Sequence, residues 1–117
     1  MRIAIVGSRN FSDIDAVRRY VLDLPKDTEI VSGGAQGVDS AAVSMGIQRN
    51  LKCSVCLPDW DTYGKSAGII RNQQIVDAAD MVVAFWDGES KGTLNTIERA
   101  LKARHIQRVT VYKGGAT

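Results

Sequence analysis

The residues of this chain that could do chemistry crowd into four polar loops, each following a short apolar run. The first loop reads Gly7-Ser8-Arg9-Asn10-Phe11 and the second Ser32-Gly33-Gly34-Ala35-Gln36-Gly37-Val38-Asp39. The third runs from Pro58 through Trp60, Tyr63, Lys65 and Gly68 to Arg71-Asn72, and the fourth reads Asp87-Gly88-Glu89-Ser90-Lys91-Gly92-Thr93. Glycines at such a turn leave backbone N–H groups open to an anion, and a helix that follows adds partial positive charge at its amino end. Gly33-Gly34-Ala35-Gln36-Gly37 and Ser90-Lys91-Gly92-Thr93 both fit this description, so both are predicted to cradle phosphate. Neither has the spaced glycines of a dinucleotide fingerprint or the Gly-Lys-Ser/Thr ending of a P-loop.

The remaining polar residues suit a nucleotide. Arg9 and Arg71 offer planar forks of donors, Lys65 and Lys91 offer point charges, and Ser8, Ser90 and Thr93 offer hydroxyls. Trp60 and Trp86 sit at strand ends, where a ring stacked on a base contributes about 1–3 kcal/mol. Trp86 could equally close the core, whereas Trp60, between Asp59 and Asp61, is harder to bury. Asp39 either caps the helix that follows it or holds a ribose hydroxyl.

Five apolar runs must carry these loops: Ile3 to Val6, Ile30 to Val31, Cys53 to Leu57, Met81 to Trp86 and Val109 to Tyr112. They are rich in Val and Ile without clean alternation, as strands covered on both faces are. Helical spacing appears between them in Ile14, Val17 and Val21, in Val38, Ala41, Ala42 and Met45, and in Leu94, Ile97 and Leu101. A less regular helix is expected from about Ala67 to Ala79, its apolar pattern broken by Arg71, Asn72, Gln73 and Gln74. Ser12 is the expected cap of the first helix. Strict alternation of strand and helix predicts an α/β fold, a three-layer Rossmann-like sandwich around a five-stranded parallel sheet. In such sheets ligands bind beyond the carboxyl ends of the strands, where the four loops lie. The Lys113-Gly114-Gly115-Ala116-Thr117 tail is expected to fray.

Composition narrows the function. The 117 residues are 44% hydrophobic and 24% charged, which excludes a disordered or fibrous chain. The longest apolar stretch, Met81 to Trp86, is far short of the roughly 20 residues a membrane span needs, so no membrane partner is expected. The start of the chain lacks the features of a secretion signal, and a cytoplasmic location is expected. A net charge of +2 argues against a nucleic-acid polymer as partner. Cys53 and Cys56 lie three positions apart on a predicted strand, hence on opposite faces, and are read as structural. With His105 the only histidine, no metal site is expected.

In this order the motifs Gly7-Ser8-Arg9, Ser32-Gly33-Gly34-Ala35 through Asp39, Gly64-Lys65 with Ala67-Gly68, Arg71-Asn72 and Ser90-Lys91-Gly92-Thr93 resemble the SLOG superfamily. That superfamily includes the Lonely Guy phosphoribohydrolases and the Smf/DprA DNA-processing proteins, and the likeness is greatest to its small YspA-like group. The resemblance covers nearly the whole chain and implies one nucleotide-binding domain over 1–117 with strand order 3-2-1-4-5. It also implies a nucleotide or nucleotide-derived ligand such as an ADP-ribose-like molecule and, since family members often dimerise, a homo-oligomer; no cofactor is expected. The hydrolases of the superfamily carry Gly-Thr-x-x-Glu with an arginine on the preceding helix, and these serve N-glycosidic cleavage. Here Arg71 matches the arginine and Gly92-Thr93 the Gly-Thr, but the glutamate position falls on Thr96. Glu98 comes two residues late, about 200° further around a helix. Binding, to sense or sequester a ligand, is therefore the expected function, and hydrolysis of a nucleotide N-glycosidic bond is the alternative, with Asp39 or Asp87 in place of the glutamate.

Overall fold

Apolar runs with no polar alternation are stable only between two covering layers; the three central strands are covered in this way, whereas neither edge strand has a buried residue. A computed structural model describes residues 1–114. Strands β1 (Arg2–Gly7), β2 (Glu29–Ser32), β3 (Lys52–Val55), β4 (Met81–Trp86) and β5 (Arg108–Lys113) form one parallel sheet in the order β3-β2-β1-β4-β5. Helices α1 (Ile14–Leu22) and α2 (Val38–Gln48) pack on one face. The short α3 (Trp60–Tyr63) follows β3, and α4 (Ala67–Ala78) and α5 (Lys91–Lys102) pack on the other face. The result is the three-layer Rossmann-like sandwich and strand order expected from the sequence.

Successive residues of β1 divide between the layers. Ile3 and Ile5 join Val17, Val21 and Val38 in one cluster, while Ala4 and Val6 join Ile75, Val76 and Ile97 in the other. Each large aliphatic side chain so buried contributes roughly 1.5–3 kcal/mol. Register is fixed on both sides of β1, with Arg2 opposite Glu29 and Gly7 opposite Phe85. This central strand therefore delivers Gly7 and Arg9 between the loops that leave β2 and β4.

Several local expectations are revised. The cap of α1 is Asp13, not Ser12: its carboxylate accepts the Ala16 N–H at 3.1 Å. The loop after β3 holds α3 and a 3-10 turn at Gly64–Ser66, because the Asp59 carboxylate accepts the Thr62 N–H at 3.1 Å. β3 ends at Val55, short of Leu57; the Cys56 N–H still donates to the Ser32 carbonyl at 2.7 Å, but β2 stops there. Cys53 packs against the α1–α2 layer and Cys56 against the α4–α5 layer, so they do face opposite ways. Burial pushes both thiols up, the reverse of what a reactive thiolate requires. His105, just past α5, donates from Nε2 to the Val76 carbonyl at 2.8 Å. Lys113 closes β5, and residues 115–117 of the expected frayed tail lie outside the described residues. No helix among the described residues is long and apolar enough to cross a membrane.

Candidate functional site

Beyond the carboxyl ends of β1, β2 and β4 lies a cleft of about 300 Å³. Eight of the residues expected to bind ligand line it: Gly7, Arg9, Asp39, Arg71, Asn72, Ser90, Gly92 and Thr93, joined by Ala35, Thr96, Val6 and Ile75. The four loops therefore meet where the strand order reverses about β1, as open parallel sheets arrange their ligand sites.

The two glycine loops differ in what their amides face. In the β2 loop the Gly34 N–H donates to Ser32 Oγ at 3.1 Å and the Ala35 N–H to Asp39 Oδ2 at 3.3 Å. Those donors are taken by the protein's own side chains, one of them a carboxylate. Two of the amides expected to face a phosphate are therefore paired within the loop, whose bends also place Asp39 beside Arg71. Arg71 Nη1 donates to the Gly33 carbonyl at 2.6 Å, and a Cβ at Gly33 would lie 2.8 Å from Nη1 and 3.0 Å from Asp39 Oδ2. Gly37 begins α2 with φ +82° and would put a Cβ 2.6 Å from the Arg9 carbonyl oxygen. Both the left-handed backbone and that close approach require glycine. Gly37→Ala should therefore lower stability by about 2 kcal/mol in urea denaturation and displace Arg9. Gly92→Ala, where a Cβ meets nothing within 4 Å, should leave stability within roughly 0.5 kcal/mol of the parent.

Asp39 does not cap α2; that place is Gly37, without a side-chain bond to the helix. Its carboxylate turns back into the loop instead. The residue is 5% exposed, and Oδ1 is the one buried side-chain polar atom without a partner among the described residues. Burial pushes the Asp39 carboxyl up to about 6, only partly opposed by the Ala35 N–H, the Arg71 guanidinium and the backbone N–H groups of Gly33 and Gly7. A buried, half-satisfied carboxylate costs stability unless something else uses it.

The opposite wall is electropositive and open. Ser90 caps α5, its Oγ accepting the Thr93 N–H at 3.3 Å, and the Asp87 carboxylate accepts the Glu89 and Ser90 N–H groups, each at 2.8 Å. No protein acceptor among the described residues takes the N–H groups of Lys91 and Gly92, which lie in the first turn of α5. Beside them Arg71 donates from Nε to Asn72 Oδ1 at 3.1 Å, and Asn72 Nδ2 donates to Asn95 Oδ1 at 3.1 Å. The buried Thr96 donates from Oγ1 to the Gly92 carbonyl at 3.2 Å and lines the cleft. Glu98 borders a separate groove with Arg99 and Lys102. This wall can hold an anion; the Asp39 wall can accept hydroxyl protons.

The other expected residues lie outside the cleft lining. Ser8 is buried, its Oγ accepting the Asp87 N–H at 3.0 Å and so tying the β1 loop to the β4 loop. Ser32 and Gly34 shape the β2 loop, and Gly34 borders an apolar groove with Val55. The Trp86 indole N–H donates to the Ser90 carbonyl at 3.0 Å, and its ring packs on the α4–α5 core. Trp60 is 59% exposed on α3, with its ring edge over Gly68. Lys65 borders an adjoining basin. Among the lining residues that sequence reasoning did not place in the site, Ala35, Val6 and Ile75 carry no chemical signal, since small and aliphatic side chains serve core and cleft alike.

Residues 1–63 match the family described as YAcAr: YspA, cpYpsA-related SLOG family. That segment contains Gly7, Arg9 and Asp39; Arg71, Gly92 and Thr93 lie beyond it. Gene 61 protein of Mycobacterium phage D29 is 35% identical over 112 residues, covering 87% of this chain and 90% of that protein. The X-ray structure of DNA processing protein A (DprA) from Streptococcus pneumoniae matches with a TM-score of 0.80 over 97% of this chain. At 24% identity that likeness shows the fold alone, and this chain spans 50% of the DprA chain's length.

Proposed function

The chain belongs to the YspA, cpYpsA-related SLOG family, and on that premise we propose that it binds a nucleotide or nucleotide-derived ligand, such as an ADP-ribose-like molecule, to sense or sequester it. Family membership suggests a nucleotide-related ligand-binding or processing role. The observation that carries the finer reading is the mixed chemistry of the cleft lining, which combines the open amides of the first turn of α5 and the Arg9 and Arg71 side chains with a buried Asp39 carboxylate whose Oδ1 has no hydrogen-bond partner among the described residues. A phosphate suits the first and a ribose hydroxyl the second.

A second reading has its own support. Departure of a base from ribose builds oxocarbenium charge that a nearby carboxylate stabilises. Asp39 is a carboxylate in the cleft, whereas Asp87 lies outside its lining with one oxygen already accepting two N–H groups. As a hydrolase the protein would use Asp39 beside Arg71, with water giving its hydroxyl to the ribose carbon as the bond to the base breaks and its remaining proton to the departing base.

Incubation with AMP, ADP-ribose and NAD, followed by recovery of the small molecules, separates the two. Intact ligand that raises the melting temperature is the expected result. Release of free base or ribose 5-phosphate, lost in Asp39→Asn, would make the protein a hydrolase. Because the structural neighbour is a DNA-processing protein, a short single-stranded oligonucleotide belongs in the same series; a shift from it alone would overturn the small-molecule reading.

A further inference from the structure

The cleft does not end at Asn72 and Gly92. These two residues and Arg71 also border a second concave basin of about 360 Å³, whose other lining includes Lys65 and Lys91. The 3-10 turn brings Lys65 to it from one side, and the first turn of α5 brings Lys91 from the other. Neither lysine has an acidic partner among the described residues, and no acid lines the basin. Gly92 presents bare backbone where the two hollows meet, and a Cβ there would meet nothing within 4 Å. Two unpaired ammonium groups facing one hollow repel each other, and a bound anion converts that repulsion into attraction.

From this geometry we infer that the second basin holds a further anionic group of the same ligand. Resting on the nucleotide reading above, this narrows the ligand to a nucleotide with at least two phosphoryl groups, one by Arg71 in the cleft and the next between Lys65 and Lys91. Gly92 is the crossing point because only a residue without a side chain lets the linking oxygens pass close to the backbone.

The test compares AMP, ADP and ADP-ribose by isothermal titration, at low ionic strength, in the parent protein and in Lys65→Ala/Lys91→Ala. The expected result is that ADP and ADP-ribose bind the parent about tenfold or more tighter than AMP, and that this preference falls to near unity in the double variant. Equal affinities in the parent, or a preference that survives loss of both lysines, would overturn the second subsite while leaving nucleotide binding in the cleft intact. Binding of none of the three would remove the nucleotide reading and this one with it. Circular dichroism of the double variant guards against misfolding, to which exposed lysines without partners contribute little.

Discussion

Replacing Arg71 by alanine should weaken binding of ADP-ribose about 100-fold, the largest effect expected of a single substitution in the cleft. The guanidinium is committed to the protein by only two of its N–H groups, Nη1 to the Gly33 carbonyl and Nε to Asn72 Oδ1, so the rest of the fork is free for a phosphate. A charge-assisted bond to an anion is worth roughly 1.5–3 kcal/mol, and tenfold in affinity corresponds to about 1.4 kcal/mol. Arg71 also pins the β2 loop, so its loss releases the turn that carries Asp39. Arg71→Lys separates these contributions: the charge remains but the planar fork does not, and affinity should recover only in part. Titration calorimetry on both variants checks this, and an alanine variant that binds within about threefold of the parent would show that the phosphate lies elsewhere.

Asp39→Asn carries the second large effect, and it is on stability. Burial raises the Asp39 carboxyl in the folded protein to about 6, above its ordinary value of 3.8. A group raised in this way favours the folded state fully below about pH 4, and that contribution is lost as pH climbs through 6. The difference corresponds to an order of 3 kcal/mol against the folded protein at pH 7. The asparagine variant has no such titration. Its stability relative to the parent should therefore rise between pH 4 and pH 7, with the other titrating groups common to both proteins cancelling in the comparison. Urea denaturation across that range measures it; a constant difference between the two proteins would mean that Asp39 is not held in a desolvated site. The same variant should bind ADP-ribose more weakly while gaining stability, the pattern expected where a strained polar group is kept for a ligand.

The architecture was legible in the sequence because it follows from runs such as Ile3 to Val6 and Met81 to Trp86, which no single-sided sheet could cover. The four loops were legible for a related reason: parallel strands place all their outgoing turns at one end. What composition could not convey was the direction of individual groups. Gly33-Gly34-Ala35 has every local property of an anion cradle, yet Ser32 and Asp39 take up two of its amides, and that outcome depends on how α2 docks against β2. Asp39 could equally have capped its helix; instead its carboxylate accepts the Ala35 N–H and lies near Arg71, 32 positions further along the chain, which no local pattern records. Trp60 resisted burial as its acidic neighbours suggested, but α3 carries it away from the cleft, and a four-residue helix leaves almost no periodic signal.

The central claim is that one cleft reads two chemistries, a phosphate at the first turn of α5 and a hydroxyl at Asp39. A crystal structure of the protein with ADP-ribose tests it most directly. The account predicts phosphate oxygens within hydrogen-bond distance of the Lys91 and Gly92 amides and of Arg71, with a ribose hydroxyl donating to Asp39 Oδ1. A phosphate seated instead on the Gly33-Gly34-Ala35 turn, or a ligand bound away from Asp39 altogether, would contradict it.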